Sequence, residues 1–497
     1  MTGKIIKIGA AVLVTAAVAF ATVAVRATDS PEAMAARKLK REIESRRTME
    51  SKLRTLDWSK TRVMDGDNGP SSLSGFDNSV VRTPSIPNGL YSSAGAPPPP
   101  SPGIAIGNTT YDYQSNQSQG RQTARLAGAD CVHFCWMAWD RIPSDPNQND
   151  RFVAYNSYTI STATINQGFN GVFIGLNNTA RAGYTGLDVD DQNLAHIGFH
   201  QRQDPSLPYH CWRIQMPIAC NSLHVDDELG GTPTKCVETL WPRIAAARDA
   251  VAGDSLAIHE IGVENVNNCS PGRIYYWRNK GGVWKGPVCL DSSDIIGYTI
   301  ADCPINNKVA VALHPYDGNA LLNVAYHESN TAGFGWLNGS ELGPSSRHYI
   351  TNYVANPGPQ SWTETSCTYD NAGVLHIVYL QQKIANNSER ITIYHWNNSR
   401  NTSRPVALSE YDALTGASAF NLNLSKVSVG TGDGSSLCST GAGDEANTDY
   451  VYVTWIKFAG ETPAEQADIS AGGFWNGELY LAVSNSHGNT WSPPSNL

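Results

Sequence analysis

Six ring-bearing side chains recur at one position of a repeated apolar run: Trp139, His200, His259, His314, Tyr379 and Trp455, spaced 55 to 76 residues apart. Imidazole, indole and phenol together offer stacking and neutral hydrogen bonding, the chemistry of sugar or peptide recognition. The alternative is that they are strand-end residues packed under loops. Acid–base chemistry has candidates in the pairs His259-Glu260 and His327-Glu328. Neighbours in a strand face opposite ways, so neither pair acts jointly without a bend. Asp188, Asp190 and Asp191 cluster oxygen ligands that suit Ca2+. That stretch lacks the Gly and terminal Glu of an EF-hand loop and equally reads as an Asp-rich turn. Asp226-Asp227-Glu228 invites the same two readings. No other cofactor is implied, because zinc spacing, a phosphate-cradling Gly loop and a Ser/His/Asp pattern do not stand out.

The elements that must position these residues are short β-rich runs. The six are taken as the exit residues of the apolar segments Cys131–Trp136, Leu194–His200, Ser255–His259, Val309–His314, Leu375–Leu380 and Tyr450–Trp455. A weaker strand precedes each, at Thr123–Leu126, Gly186–Val189, Arg243–Ala245, Tyr298–Ala301, Ser366–Tyr369 and Lys426–Val429. A third follows, at Phe152–Tyr155, His210–Arg213, Ile274–Trp277, Leu322–Tyr326, Ile391–Tyr394 and Leu479–Val483, and a poorly marked fourth completes the unit. Four antiparallel strands repeated radially predict an all-β chain, a propeller of six blades over residues 104–497. A seventh blade stays open: Gly103–Tyr113 could close the ring, yet Trp491-Ser492-Pro493-Pro494 already offers blade six a fourth strand, and the chain could be truncated. The second strand exits where the first began, so the six residues are expected around one channel mouth.

Ahead of the body, Lys4 and Lys7 precede an apolar stretch from Ile8 to Val25, and Val25-Arg26-Ala27 fits a cleavage site. Residues 1–27 read as a signal peptide, which predicts a secreted or envelope-associated protein with no further membrane span. Residues 28–64 form a charged helical segment with eight Lys/Arg against four Glu between Pro31 and Leu56. It is a partner-docking or membrane-surface element or a solvated spacer. Residues 65–103 are a Gly/Ser/Pro-rich linker. The net charge of −9, without a sustained basic stripe, argues against nucleic acid as partner. Ten cysteines make disulfides plausible for an exported chain. Cys131 and Cys135, four apart in a strand and so about 13 Å from each other, are beyond disulfide reach unless a bulge intervenes.

Ser484-Asn485-Ser486-His487-Gly488-Asn489-Thr490-Trp491 resembles the hairpin turn of the sialidase-like (BNR or Asp-box) propeller superfamily, Ser-x-Asp-x-Gly-x-Thr-Trp, with Ser486 in place of the aspartate. Arg278–Trp284 and Glu328–Trp336 are weaker echoes. The resemblance, shared with exported bacterial proteins of mostly uncharacterised type, implies that Ser484, Gly488, Thr490 and Trp491 build a structural turn, away from any active site. It further implies, for an enzymatic member, three arginines, a Tyr/Glu nucleophile pair and an Asp acid/base. Asp140-Arg141-Ile142-Pro143 and Trp241-Pro242-Arg243-Ile244-Ala245 are partial likenesses of the family's early arginine motif. The expected function is therefore a binding or structural module for glycan or protein ligands, with a sialidase-type glycosidase and an extracellular assembly subunit as alternatives.

Overall fold

In the computed structural model the residues described are 104–107, 109, 119–126, 128–139, 151–169, 171–174, 182–202, 209–216, 225–228, 238–246, 257–264, 272–293, 297–303, 305–316, 323–342, 346–353, 360–385, 388–409, 423–432, 450–458 and 477–497. The segments expected to be signal peptide, helix and linker, and Asp140–Pro143, lie outside them. Each blade is a run of consecutive antiparallel strands. Blade one holds β1 (Thr123–Ala124), β2 (Cys131–Trp139), β3 (Arg151–Thr159) and β4 (Thr164–Ile165), with β5 (Val172–Ile174) also on β3. Blade two holds β6 (Ala182–Val189), β7 (Ala195–Arg202), β8 (Tyr209–Gln215) and β9 (Val225–Glu228). Blade three holds β10 (Thr239–Ala246), β11 (Ala257–Glu264), β12 (Gly272–Lys280) and β13 (Val283–Ser293). Blade four holds β14 (Tyr298–Asp302), β15 (Val309–Leu313), β16 (Ala325–Ser329), a one-turn helix α1 (Phe334–Leu337) and β17 (His348–Tyr349). Blade five holds β18 (Gln360–Tyr369), β19 (Leu375–Ala385), β20 (Ser388–Asn397) and β21 (Thr402–Ser409). Blade six holds β22 (Leu424–Gly432), β23 (Tyr450–Lys457), β24 (Glu478–Ser484) and β25 (Ser495–Asn496).

Six is thus the blade count, and the sixth blade is completed by β25, just beyond the expected Trp491–Pro494. Ile106 and Thr109 lie on blade one: Ile106 packs on Trp136, Ala138 and Ala154, its carbonyl accepts from Asn156 Nδ2 at 2.9 Å, and Thr109 Oγ1 donates to the Met137 carbonyl. The core sits between blades. Tyr155, Leu187, Phe199 and Ile214 fill the space between blades one and two, and Val378, Ile393, Val453 and Trp455 that between five and six. Each such side chain contributes about 1.5–3 kcal/mol by leaving water. Second strands are therefore covered on both faces and read as near-continuous apolar runs.

The inner strands carry bulges, flanked by glycine in blade two but not in blades three, five and six. Their register slips between Gly183 and Gly186, Leu240 and Arg243, Ser361 and Thr365, and Ser425 and Ser428. Tyr184, Trp241 and Lys426 stand there at φ of 56°, 50° and 62°. Left-handed backbone costs a non-glycine residue about 1–2 kcal/mol, so neighbours must hold it. At Trp241 the N–H donates to His200 Nδ1 of blade two at 3.1 Å, and the carbonyl accepts from Tyr298 OH of blade four at 2.6 Å. At Lys426 the following N–H, on Val427, donates to Glu364 of blade five.

The turns of blades four and six are the same structure. Ser329 Oγ accepts from the N–H groups of Thr331 and Gly333, and Thr331 Oγ1 accepts from Gly335. Ser484 Oγ accepts from Ser486 (3.2 Å) and Gly488 (2.8 Å), and Ser486 Oγ from Thr490. Ala332 and His487 share a φ near +50°, followed by Gly333 and Gly488 at 74° and 79°. A hydroxyl does the work of an aspartate in both. In blade four, Glu341 also reaches in to Asn330 N–H and Thr331 Oγ1. The third echo differs: Gly281-Gly282 makes a tight hairpin in which Asn279 Oδ1 accepts from Gly282. Ser484→Ala strands two turn N–H groups and is expected to cost about 1–3 kcal/mol. Thermal unfolding should show a midpoint several degrees lower, while exposed Ser340→Ala leaves it unchanged.

Candidate functional site

In blades two to six the start of the inner strand pairs at or near the end of the second, as in Gly183 with His200 and Tyr298 with Leu313. This end is the entry face; the serine turns lie at the other, the turn face. The six ring-bearing residues do not form one rim at the entry face. His200, His259, His314, Tyr379 and Trp455 are 2% exposed or less and offer a ligand no surface; Trp139 ends β2, and its side chain lies outside the described set. His259 is only the third residue of β11 and Tyr379 the fifth of β19, so neither is an exit residue. Glu260-Ile261-Gly262-Val263-Glu264 resembles a loop in composition, but burial against blade two keeps it in the sheet.

His200, near the exit of β7, stands in a group that spacing did not reveal. Its Nε2 lies 3.3 Å from Arg151 Nη2, and its ring lies 4.9 Å from Tyr184 and 5.0 Å from Tyr209. The Arg151 guanidinium sits over Tyr184 at 4.8 Å and donates through Nε to the Ala182 carbonyl at 3.0 Å. Two residues beyond His200 on the same face, Arg202 lies over Tyr209 at 4.3 Å, its side chain 35% exposed, with Glu238 3.8 Å away. A guanidinium stacked on a ring presents its edge in the geometry that planar oxyanions match. Gly183 permits the layering, because a Cβ there would lie 2.8 Å from Arg151 Nε and closer still to Met137 Sδ. The His200-x-Arg202 alternation at the end of an apolar run was the available signal.

The calcium candidates do not converge. Asp188 Oδ1 pairs with Arg121 Nη1 at 3.1 Å, and Oδ2 accepts from Ala246 N–H. Asp190 Oδ1 accepts from Gln192 and Leu194 N–H, its Oδ2 meets His196 Nε2 at 3.0 Å, and Asp191 is exposed. Asp226–Glu228 lie in β9, their side chains outside the described set. Among the described residues, the one set of three close metal-capable donors is Asp370, His376 and His487. The acid–base pairs diverge as their spacing required. His259 meets Tyr276 OH at 2.7 Å, whereas Glu260 faces Gly198 of blade two. His327 binds Asp291, and Glu328 binds Tyr369 and Lys308.

The glycosidase constellation is not assembled among the described residues. Arg243 donates to the Trp241 and Pro242 carbonyls of its own bulge. Glu264 accepts from Tyr275 OH at 2.9 Å with Arg273 beside it, but burial pushes the Tyr275 hydroxyl up to about 12. Tyr369, bonded to Glu328, is likewise pushed up by burial. A nucleophilic tyrosine needs the opposite shift. Cys135, Cys211, Cys289, Cys303 and Cys367 are free thiols, so the excluded Cys131–Cys135 bridge is indeed absent.

No protein-family model matches the sequence, and no curated protein matches it. Solved structures with a related chain path include an ulvan lyase, from a new polysaccharide lyase family, bound to a glucuronate–sulfated rhamnose unit. It is 10% identical, TM-score 0.43, covering 79% of this chain and 86% of that one. A protein of unknown function from Dyadobacter fermentans DSM 18053 is 8% identical, TM-score 0.41, covering 69% and 91%. An α-L-arabinanase of Penicillium chrysogenum complexed with arabinobiose is 9% identical, TM-score 0.38, covering 62% and 79%. At these scores the likenesses carry no argument about activity, and the fold rests on the sheet topology.

Burial also fixes a pH dependence. It holds His133 down to about 4 and His259 and His314 down to about 3. The unfolded imidazoles take protons below about pH 6.5, where the folded ones do not. Their contribution is therefore present above pH 6.5 and is lost as pH falls from 6.5 toward 3–4, at about 1.4 kcal/mol per unit for each histidine. Urea unfolding at pH 7.5, 6.5 and 5.5 should show stability falling a little over the first step and steeply over the second. Equal stability at 6.5 and 5.5 would contradict these buried neutral states.

Proposed function

We propose that the protein is an exported propeller that binds acidic glycans at the entry face of blades one and two. One observation carries this reading: two guanidinium–tyrosine layers, Arg151 on Tyr184 and Arg202 on Tyr209, joined through His200. Aromatic faces suit the C–H surface of a pyranose, and arginine suits a uronate carboxylate or a sulfate ester. Arg202 is the exposed member and makes the first contact, exchanging its long contact with Glu238 for the ligand's acid group. Arg151 and His200 stand behind it and fix its platform. The turn signature of blades four and six supports placing the chain with the sialidase-like propellers, as a binding member. The amino-terminal apolar stretch and cleavage site support export.

Titration calorimetry with oligogalacturonate and with a neutral galacto-oligosaccharide tests the reading. The acidic ligand should bind more tightly, its affinity should fall with salt, and Arg202→Ala should weaken it about tenfold or more without lowering the melting temperature. Equal binding of the two sugars, or an unaffected Arg202→Ala, would overturn it.

A further inference from the structure

The turn face of the junction between blades five and six holds a second feature. Asp370 opens the β18–β19 hairpin, His376 follows in β19, and His487 projects from the serine turn of blade six. Asp370 Oδ2 lies 3.1 Å from His376 Nε2 and 3.3 Å from His487 Nδ1, and the three donor atoms all fall within 4.8 Å of one another. Donors around a tetrahedral Zn2+, with bonds of about 2.0–2.2 Å, stand about 3.3–3.5 Å apart. The remaining bonds aim these atoms. Asp370 Oδ1 accepts from the N–H groups of Ala372 (2.9 Å) and Val374 (2.8 Å), which directs Oδ2 to the imidazoles. His376 Nδ1 lies 2.9 Å from His395 Nε2, which fixes the plane of the ring that carries Nε2. Asp370 and His376 are buried, whereas the His487 side chain is 33% exposed and opens a path from solvent.

The molecule supplies its own control. Blade two has the same hairpin: Asp190 Oδ1 accepts from Gln192 and Leu194, and Oδ2 lies 3.0 Å from His196 Nε2. There the group behind the histidine is the Arg213 guanidinium, 3.0 Å from His196 Nδ1, which opposes a cation. The facing turn of blade three is Gly281-Gly282, without a ligand. The Asp–His pair alone is thus part of the hairpin; blade five differs by placing His395 between His376 and the nearest guanidinium, that of Arg400, 3.4 Å from His395 Nδ1, and blade six adds His487. The left-handed backbone of His487 is a property of the turn, shared with Ala332, and does not itself argue for a metal.

We infer that Asp370, His376 and His487 form a binding site for a divalent cation of the zinc type, linking blade six to blade five. Two imidazoles and one carboxylate favour Zn2+ or Co2+ over Ca2+, and three protein ligands leave a fourth position for water.

The test uses the full chain after chelator treatment. Added Zn2+ should raise its melting temperature, with Ca2+ without effect. Competition against a chromophoric chelator should show His487→Gln binding zinc about tenfold or more weakly than the wild type, at an unchanged metal-free melting temperature. Co2+ should give the visible bands of a tetrahedral site, and His487→Cys should keep the metal and add a thiolate-to-cobalt charge-transfer band. No zinc-dependent stabilisation, equal zinc affinity in His487→Gln, or a cobalt spectrum unchanged by His487→Cys would each overturn the assignment.

Discussion

The structure depends on what a propeller does with a polar ring buried in its second strands. His133, His196, His259 and His376 are all fully buried and lie near the turn-face end of β2, β7, β11 and β19. Each would orphan a ring nitrogen without a partner, at a cost of about 1–3 kcal/mol. The same register supplies one in all four blades. Tyr155, Arg213, Tyr276 and His395, two residues from the direct strand partner on β3, β8, β12 and β20, lie 2.7–3.0 Å from Nδ1. Three of those partners are then gripped by the next blade. Arg213 lies over Trp284, Tyr276 meets Trp336 edge-on at 4.9 Å, and His395 meets Trp491 edge-on at 5.2 Å. Gly333 and Gly488 complete the grip, since a Cβ at either would overlap Tyr276 or His395. A polar requirement inside one blade thereby becomes the contact that seats the next.

At the opposite end the bulges play the corresponding part. Trp241 in left-handed backbone is held by His200 of the preceding blade and Tyr298 of the following one. His200 also contacts Arg151, so the layered arginines and tyrosines inherit their positions from an inter-blade bond, not from a loop. A binding surface built this way is set before any ligand arrives, which limits the ordering entropy that binding must overcome.

The sequence reveals the blades because second strands, buried on both faces, leave long apolar runs such as Val309–Leu313 whatever their neighbours are. It reveals the serine turns because Gly333 and Gly488 must be glycine and because Trp336 and Trp491 follow at fixed distance. The site is less legible. Taking His259 and Tyr379 as strand exits assumed that strands stop where apolar residues stop, whereas β11 and β19 run on through Glu260, Glu264, Gln381 and Gln382. The bulges at Tyr184 and Trp241 are invisible to local propensity, because tertiary hydrogen bonds impose a backbone that neither residue prefers. Of the two readings open for Asp188 and Asp190, the turn holds: they are engaged one at a time, by Arg121 and by a hairpin that ends in His196.

The central claim is that the ring on a third strand and the tryptophan of the next blade's turn form one energetic unit. A double-mutant cycle of Tyr276→Leu and Trp336→Leu, read by urea unfolding, measures it directly. Edge-on aromatic pairs of this kind couple by about 0.5–1.5 kcal/mol beyond burial, so the two losses should be less than additive by that amount. Strict additivity would show that the blades pack independently of the pair and would contradict the account.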